Sequence, residues 1–378
     1  MTRVAVTTAV RHAGAREFSG YLRVLDLESG DVIHTEPVPE SPWRQVDPNP
    51  RGGTRGAKGM SVHGDRFVVC NSDSVFVVDS ALRPVSVLTH PLAGAIHDVL
   101  AEDDGIWITA ANCDLLVKLD WEGRLLRTWS WRDDPGLVGA LGFRSLPAID
   151  LGLDYRDPRV LQGGSHNVVH LNGVARGRVG LLLSFGRILD PRTVARRKLR
   201  SRLGRVATRV GIVRRAPAGP QPTPASVVSG SSSAIVLLRD GHAGAELLVH
   251  RRGIGLPSHN VLEASGGVVY NDTNGGRLVS YDRAARAELA AVAVPGDPSF
   301  ARGLAHLRDE IYLVGSQQPL ALHAIDLDRA ELVATYELGG APNESVYAIC
   351  LLPPSFADLR AVGSFFAGDR APSPEAVR

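Results

Sequence analysis

A unit of about 40 residues recurs along the chain, and this repeat constrains the fold more than any other feature. Each copy opens on a polar residue, passes through a short apolar segment to a Gly or Asp turn, and continues into β-branched, aromatic and alternating segments. Copies begin at Lys58, His97, His259 and Arg302, and a further copy, split by a long insertion, begins at His170. Because each copy holds four strand-like segments separated by turn residues, the repeat predicts a ring of four-stranded blades.

The two ends of the chain supply one more blade. Residues 344–353 (ESVYAICLLP) read as an inner strand with no strands after it, whereas the N-terminal region offers three strands without an inner partner. Pairing the two ends closes the ring and removes the exposed sheet edges. The sequence therefore predicts an all-β protein, a six-bladed β-propeller over residues 1–360, followed by a flexible tail at 361–378.

The basic residues are unevenly distributed. The formal net charge is +2, yet residues 191–215 hold ten Lys or Arg and no acidic residue, so the remaining body is acidic. A body of that sign argues against a nucleic-acid-binding protein. Residues 187–233 are predicted to be an insertion in the split blade, formed by a basic amphipathic helix and a Pro- and Ser-rich tether. Such a helix favours binding to an anionic membrane surface, and the alternative is packing against the acidic body.

The other segments carry fewer signals. No apolar run approaches the roughly 18 residues of a membrane span and no export signal is evident, so a cytoplasmic protein, peripheral to a membrane at most, is expected. Three widely spaced cysteines favour reduced thiols. The connection ahead of His170 carries Leu137, Leu141, Phe143 and Leu146, which are expected to be exposed. Together with the insertion they would form a lid or a collar at one mouth of the ring.

The first residue of each repeat is expected to lie on the central channel, because there the chain enters the inner strand of the next blade. Six ionisable residues occupy these places: Lys58, His97, His170, His259, Arg302 and Glu344. Unpaired buried charges are costly, so this set favours a functional pocket over simple packing. A structural plug, in which Glu344 pairs with Arg302 or Lys58, is the alternative. The spacing selects His170 as the axial residue, and the alternative is His166, which lies only a turn upstream.

Two kinds of chemistry suit the ring. In the first, three imidazoles bind a divalent metal such as iron, manganese, copper or zinc, and Glu344 is a fourth ligand or orients a histidine; the imidazoles are those of His97, His170 and His259. In the second no metal is needed: His259 is the nucleophile or base, and an anionic group is held by Arg302, Lys58 and Asn172. Either chemistry implies an enzyme acting on a small anionic or amphipathic molecule. A non-catalytic propeller scaffold remains the third possibility.

Five of the ring positions lie in short motifs that resemble a bacterial family of six-bladed propellers with no established reaction. The elements are HDV at 97–99, HLNGVA at 170–175, PSHN at 257–260, ARGLA at 301–305 and ESVY at 344–347. The third departs from the family's PHSPR pattern. A second likeness is to the bacterial arylsulfotransferases that use a phenolic sulfate donor, through His170-x-Asn172 together with Arg302. That resemblance implies sulfuryl transfer, with His259 as the residue that carries the sulfuryl group.

Overall fold

Six antiparallel four-stranded sheets form the blades of a six-bladed β-propeller, as the repeat predicts. The computed structural model describes residues 2–13, 17–47, 56–79, 84–144, 146, 148–160, 166–191, 232–241, 244–253 and 256–356. Within these residues helix is scarce: α1 (Pro135–Ala140) and two short 3-10 helices at Pro42–Val46 and Trp131–Asp133.

In each blade the strands follow one another from the central channel outward. Blade one combines both chain ends in β24 (Glu344–Leu352), β1 (Arg3–Val10), β2 (Gly20–Asp26) and β3 (Val32–Pro37). Blade two contains β4 (Met60–His63), β5 (Arg66–Cys70), β6 (Val75–Asp79) and β7 (Pro84–Leu88). Blade three contains β8 (Ile96–Glu102), β9 (Gly105–Ala110), β10 (Leu115–Leu119) and β11 (Leu125–Ser130).

The remaining three blades follow the same order. Blade four contains β12 (Leu171–Gly177), β13 (Gly180–Ile188), β14 (Ser232–Arg239) and β15 (Ala245–Arg252). Blade five contains β16 (His259–Ala264), β17 (Gly267–Asp272), β18 (Arg277–Asp282) and β19 (Ala287–Ala293). Blade six contains β20 (Arg302–Arg308), β21 (Ile311–Gly315), β22 (Ala321–Asp326) and β23 (Glu331–Glu337).

The chain ends meet in blade one, which confirms the predicted closure. β24 runs antiparallel to β1 from the pair Arg3–Leu352 to the pair Val10–Glu344, with a bulge at Thr7 and Thr8. Apolar side chains pack between neighbouring blades, as in the cluster that joins Val77 of blade two to Ile108 of blade three. The middle strands of a blade are thus buried along their length, as in β9 and β10, which explains why such strands are apolar.

The apolar residues of the connection between blades three and four are buried, so the expectation that they are exposed was wrong. Leu137, Leu141 and Phe143 are only 2%, 2% and 5% exposed. Phe143 packs on Trp131 with a ring-centroid distance of 5.4 Å, and partly buried Leu146 packs against the same cluster. Trp131 and the side of blade four offer an apolar surface to these side chains, which therefore stabilise the fold and do not form a collar.

The insertion lies where it was predicted, between the second and third strands of blade four. The pairing of Ile188 with Ser232 brings its two ends together. Most of the predicted insertion at 187–233, namely residues 192–231, lies outside the described residues, and so does the whole of the predicted tail at 361–378. In the part of the chain that the structure describes, no helix has the length and hydropathy required to cross a membrane.

Candidate functional site

The six predicted ring residues all lie at or next to the start of an inner strand. His259, Arg302 and Glu344 are the first residues of β16, β20 and β24, and His97 is the second residue of β8. His170 directly precedes β12, and Lys58 lies two residues before β4. In β8, β12, β16 and β20 a register shift follows this place, so a β-bulge re-aims the side chains there.

Four of these side chains are half-buried, as expected of groups that line a channel: Lys58, His97, His170 and His259. Arg302 is more enclosed, at 7% exposed. The rings of His97 and His170 meet edge to face with a centroid distance of 4.6 Å. Side chains from blades two to six therefore share the axis, and they keep some contact with solvent.

Tyr347, the fourth residue of β24, lies at the centre of the cluster. Its hydroxyl forms a short hydrogen bond with Nδ1 of His97. The guanidinium carbon of Arg302 lies 3.3 Å from the centroid of its ring, and Nζ of Lys58 lies 4.5 Å from the same centroid. Both are cation–π contacts. The residue belongs to the ESVY motif, but only Glu344 of that motif was singled out from the sequence.

The contacts of His97 determine which of its nitrogens carries the proton. Nη2 of Arg302 lies 3.5 Å from Nδ1 of His97, and an arginine can only donate a hydrogen bond. Nδ1 therefore accepts from both Tyr347 and Arg302. Burial, followed by the positive charges nearby, holds the pKa of His97 well below its usual value. The ring is accordingly neutral near pH 7, with its hydrogen on Nε2, and it acts as a hydrogen-bond donor at that atom.

Arg302 and Lys58 are cations without a carboxylate partner. Among the described residues no Asp or Glu oxygen lies within ion-pair distance of either side chain, and Nε of Arg302 is buried without a hydrogen-bond partner. Burial lowers the pKa of Arg302 to about 10. A guanidinium with that pKa stays charged at neutral pH. The site therefore presents a buried positive charge that the nearby carboxylate of Asp98 influences without forming an ion pair, and such a charge attracts an anion.

The other two histidines are also neutral near pH 7. Burial, reinforced by Arg187, lowers the pKa of His170 to about 3. Burial and then Arg302 hold the pKa of His259 well below its usual value. Nδ1 of His259 lies 2.7 Å from Oγ1 of Thr273. Neutral imidazoles of this kind can accept a proton or attack an electrophile.

The rim next to His259 is aromatic and basic. Phe300 lies 6.4 Å from His259, measured between ring centroids, and its backbone adopts a φ of 45°, which is unusual for a residue with a side chain. The guanidinium of Arg11 stacks on Phe300 at 3.9 Å. Arg11 also lowers the pKa values of His259, Lys58 and Arg302, so its positive charge influences the groups inside the pocket.

Glu344 begins an inner strand, but its contacts lie within blade one. Its carboxylate pairs with Nη2 of Arg23 at 2.8 Å and accepts hydrogen bonds from the hydroxyl of Thr8 and from the backbone N–H of Ala341. With an exposed fraction of 1% it is buried. The structure therefore pairs it with Arg23, and not with Arg302 or Lys58 as in the alternative plug. These contacts also leave it apart from the histidines.

The polar residues next to the histidines join neighbouring blades. Asp98 Oδ2 accepts the backbone N–H of Val174 at 3.2 Å, and Asn260 Oδ1 accepts that of Gly303 at 2.9 Å. Asn172, predicted to hold an anionic group, is 3% exposed and donates from Nδ2 to the carbonyl of Ser258 at 2.7 Å. Each side chain thus reaches from one inner strand to the backbone of the next blade. Asn172 accordingly positions the segment that carries His259.

The structure places His170 on the axis and His166 outside it. His166 packs edge to face on Tyr155 at 5.6 Å, in the outer connection. The segment between the two histidines is held by the buried carboxylate of Asp114, which accepts the backbone N–H groups of Val168, Val169 and Leu171. His170 itself adopts a φ of 51°, and its Nδ1 lies 3.1 Å from the side-chain amide of Asn167.

The predicted metal ligands are engaged in other contacts in this structure. A metal-bound histidine binds through a lone pair and donates its other N–H to an oxygen acceptor. In His97 the lone pair of Nδ1 is occupied by Tyr347 and Arg302, and the other nitrogen carries the hydrogen. Glu344 is committed to Arg23, and the neighbouring cations oppose a divalent ion. Among the described residues no group of three or more His, Cys, Asp or Glu has a metal-binding arrangement.

Comparisons with known proteins show the fold. No family model and no curated protein sequence matches the chain. A chain in the crystal structure of a nidogen/laminin complex matches with a TM-score of 0.53 and 9% identity, over 92% of this chain and 98% of that chain. A protein of unknown function from Bacteroides caccae matches with a TM-score of 0.53 and 8% identity, over 93% and 98% of the two chains. A streptogramin B lyase reaches only 0.43 with 10% identity, over 76% and 84%, which is too low to support an argument.

Proposed function

We propose that the axial pocket binds a small organic anion, and that the protein is an enzyme that acts on this anion without a metal. The observation that carries the proposal is Arg302, a buried guanidinium that lacks a carboxylate partner within the described residues. It is stacked on Tyr347 and surrounded by neutral imidazoles, so a bound anion would supply the missing negative charge. Lys58, in its protonated form, would add a second charge to the same anion.

His259 is the best candidate for the general base or nucleophile. His97 is held with its proton on Nε2 and therefore suits the role of a donor to a developing negative charge. In His259 the hydroxyl of Thr273 contacts Nδ1. When Nδ1–H donates to that hydroxyl, Nε2 keeps its lone pair for a substrate, an arrangement typical of a catalytic histidine.

Sulfuryl transfer is one form that this chemistry would take. In that version Nε2 of His259 attacks the sulfur of a sulfate ester, the ester oxygen leaves, and the sulfuryl group then passes to an acceptor. The likeness of His170, Asn172 and Arg302 to the arylsulfotransferase motif supports it. Proton abstraction by His259 from a bound organic anion is the other form. Both forms require an anion to bind at Arg302.

Binding of inorganic sulfate, measured by isothermal titration calorimetry, tests the anion site. A hydrogen bond to a charged group contributes about 1.5–3 kcal/mol, so Arg302→Gln should weaken sulfate binding by about 10- to 100-fold. Arg124→Gln is the matched control, because that side chain is 74% exposed and lies outside the pocket. Equal affinity in the wild type and Arg302→Gln would remove the basis of the proposal.

Elemental analysis of the purified protein tests whether the protein contains a bound metal. We expect no stoichiometric iron, manganese, copper or zinc. One equivalent of any of these that disappears in His97→Ala would instead favour the three-histidine metal site and overturn the metal-free mechanism.

A further inference from the structure

Lysine is rare in this chain, and one of the few lysines lies on the axis. Only three of the 42 basic residues are lysines: Lys58, Lys118 and Lys198. Lys118 forms ordinary ion pairs, with Glu102 at 3.0 Å and with Asp104 at 2.5 Å. Lys198 belongs to the basic insertion. Lys58 therefore stands out as the lysine that occupies a channel position in a protein that otherwise uses arginine.

The difference between the two residue types is chemical. An arginine stays protonated in proteins, whereas a lysine that is buried near other cations loses its proton readily and becomes a nucleophile. Burial first, and then the charges of Arg302 and Arg11, lower the pKa of Lys58 to about 7, while Cys70 opposes them. About half of the Lys58 side chains are then free amines at neutral pH. A position that only needed a positive charge would be served by arginine.

The surroundings hold the amine beside the anion-binding group. The backbone of Lys58 is fixed by hydrogen bonds from its N–H to the carbonyl of Cys70 at 2.7 Å and from Thr7 Oγ1 to its carbonyl at 2.5 Å. Nζ of Lys58 and the guanidinium of Arg302 both contact the ring of Tyr347. They are therefore at most about 8 Å apart, so a small carboxylate with an adjacent carbonyl group is long enough to reach both of them.

We propose that Lys58 is a carbonyl-reactive amine, which condenses with the aldehyde or ketone group of a small carboxylate held by Arg302. This inference rests on the proposed anion site and names its substrate class, the 2-oxo acids and related anionic carbonyl compounds. Nζ attacks the carbonyl carbon, and both amine hydrogens leave with the carbonyl oxygen as water, so that a C=N bond replaces the C=O bond. An imine acidifies the neighbouring C–H group, which gives His259 a proton to remove.

Reductive trapping tests this proposal. The full-length protein is incubated with glyoxylate and sodium cyanoborohydride, which reduces an imine to a stable secondary amine, and the modified residue is located by peptide mass spectrometry. We expect Lys58 to be modified at least ten times faster than Lys118, with a rate that rises as the pH passes through about 7. Modification of Lys118 and Lys198 at the same rate as Lys58, or no adduct on Lys58, would overturn the proposal.

Two variants separate the amine from the charge. Lys58→Arg keeps a cation but removes the nucleophile, so trapping at this position should be lost while sulfate binding is retained. Arg302→Gln keeps the amine but raises the pKa of Lys58, which slows trapping by every aldehyde alike. It should therefore slow trapping by glyoxylate at least tenfold more than trapping by the uncharged aldehyde propanal. Sulfate binding without a Lys58 adduct would refute only the amine proposal. If the wild-type protein does not bind sulfate and glyoxylate trapping does not depend on Arg302, the anion site is refuted.

Discussion

The variant Glu344→Gln tests whether Glu344 stabilises the fold or takes part in the axial pocket. The substitution keeps the size of the side chain, but it removes the negative charge opposite Arg23. Thr8 and the N–H of Ala341 donate to different oxygens of Glu344, so the single oxygen of glutamine keeps only one of these hydrogen bonds. The two side chains are only 11% and 2% exposed. Arg23 would therefore remain buried next to a neutral group.

The expected cost follows from this burial. Breaking a buried ion pair by removing one partner costs about 3–5 kcal/mol, and because glutamine has the same size and retains one hydrogen bond, we expect Glu344→Gln to cost about 3 kcal/mol. For a chain of 378 residues the unfolding entropy near the transition converts this into a loss of about 4 °C in Tm. Sulfate affinity should stay at the wild-type value, because Glu344 does not contact the cations or histidines of the pocket.

Urea denaturation and calorimetric titration with sulfate measure the two quantities. Glu331→Gln is the control, since that carboxylate is 55% exposed and its loss should change the free energy of unfolding by less than about 0.5 kcal/mol. A change in Glu344→Gln as small as that of the control would refute the structural role. A loss of sulfate affinity comparable to that of Arg302→Gln would show that Glu344 acts in the pocket.

Two further predictions concern the pocket itself. Because the ammonium of Lys58 deprotonates as the pH rises through about 7, sulfate affinity should fall over that range in the wild type and stay level in Lys58→Arg, as titrations at several pH values would show. An affinity that does not change with pH would contradict this assignment. Tyr347→Phe removes the nearer donor to Nδ1 of His97 and leaves only Arg302, at 3.5 Å, so long-range proton–nitrogen NMR spectra should change from a pure Nε2–H form to a mixture of tautomers. Identical spectra for the two proteins would mean that Tyr347 does not set the tautomer.

The period of the repeat is sufficient to predict the blade count and the residues that begin the inner strands. Equivalent positions in a repeat occupy equivalent places in the ring. The strands at the two chain ends make one complete blade only when they are combined. His97, His170, His259 and Arg302 accordingly lie together. What the period does not encode is the direction of each side chain.

Direction depends on the bulges, since one extra residue reverses the alternation of the side chains that follow it. A bulge is set by pairing with the neighbouring strand, here between Val346 and Ala348 of β24 and their partners in β1, and sequence spacing does not reveal it. The sequence therefore predicts where Glu344 lies in the ring, but not the direction of its side chain. For the same reason Tyr347 was not recognised as an axial residue.

The apolar connection was misjudged for a different reason. Leu137, Leu141 and Phe143 lie between blades, in a segment with no repeat to guide the interpretation. Their burial depends on Trp131 and on the side of blade four, and these surfaces are formed only in the folded ring. Local sequence cannot show whether such a partner surface exists.

Blade one can be completed only at the end of synthesis, because its inner strand β24 is the last strand to be made. Thr8 and Glu344, which hydrogen-bond to each other across the seam, are 336 residues apart in sequence. At about 5–20 residues per second, β1 would leave the ribosome roughly 20 seconds to a minute before β24 exists to pair with it. During that interval the inner edge of β1 is available to other strands, including those of neighbouring nascent chains. A chaperone that shields this edge would therefore be of most use before the last strand is made.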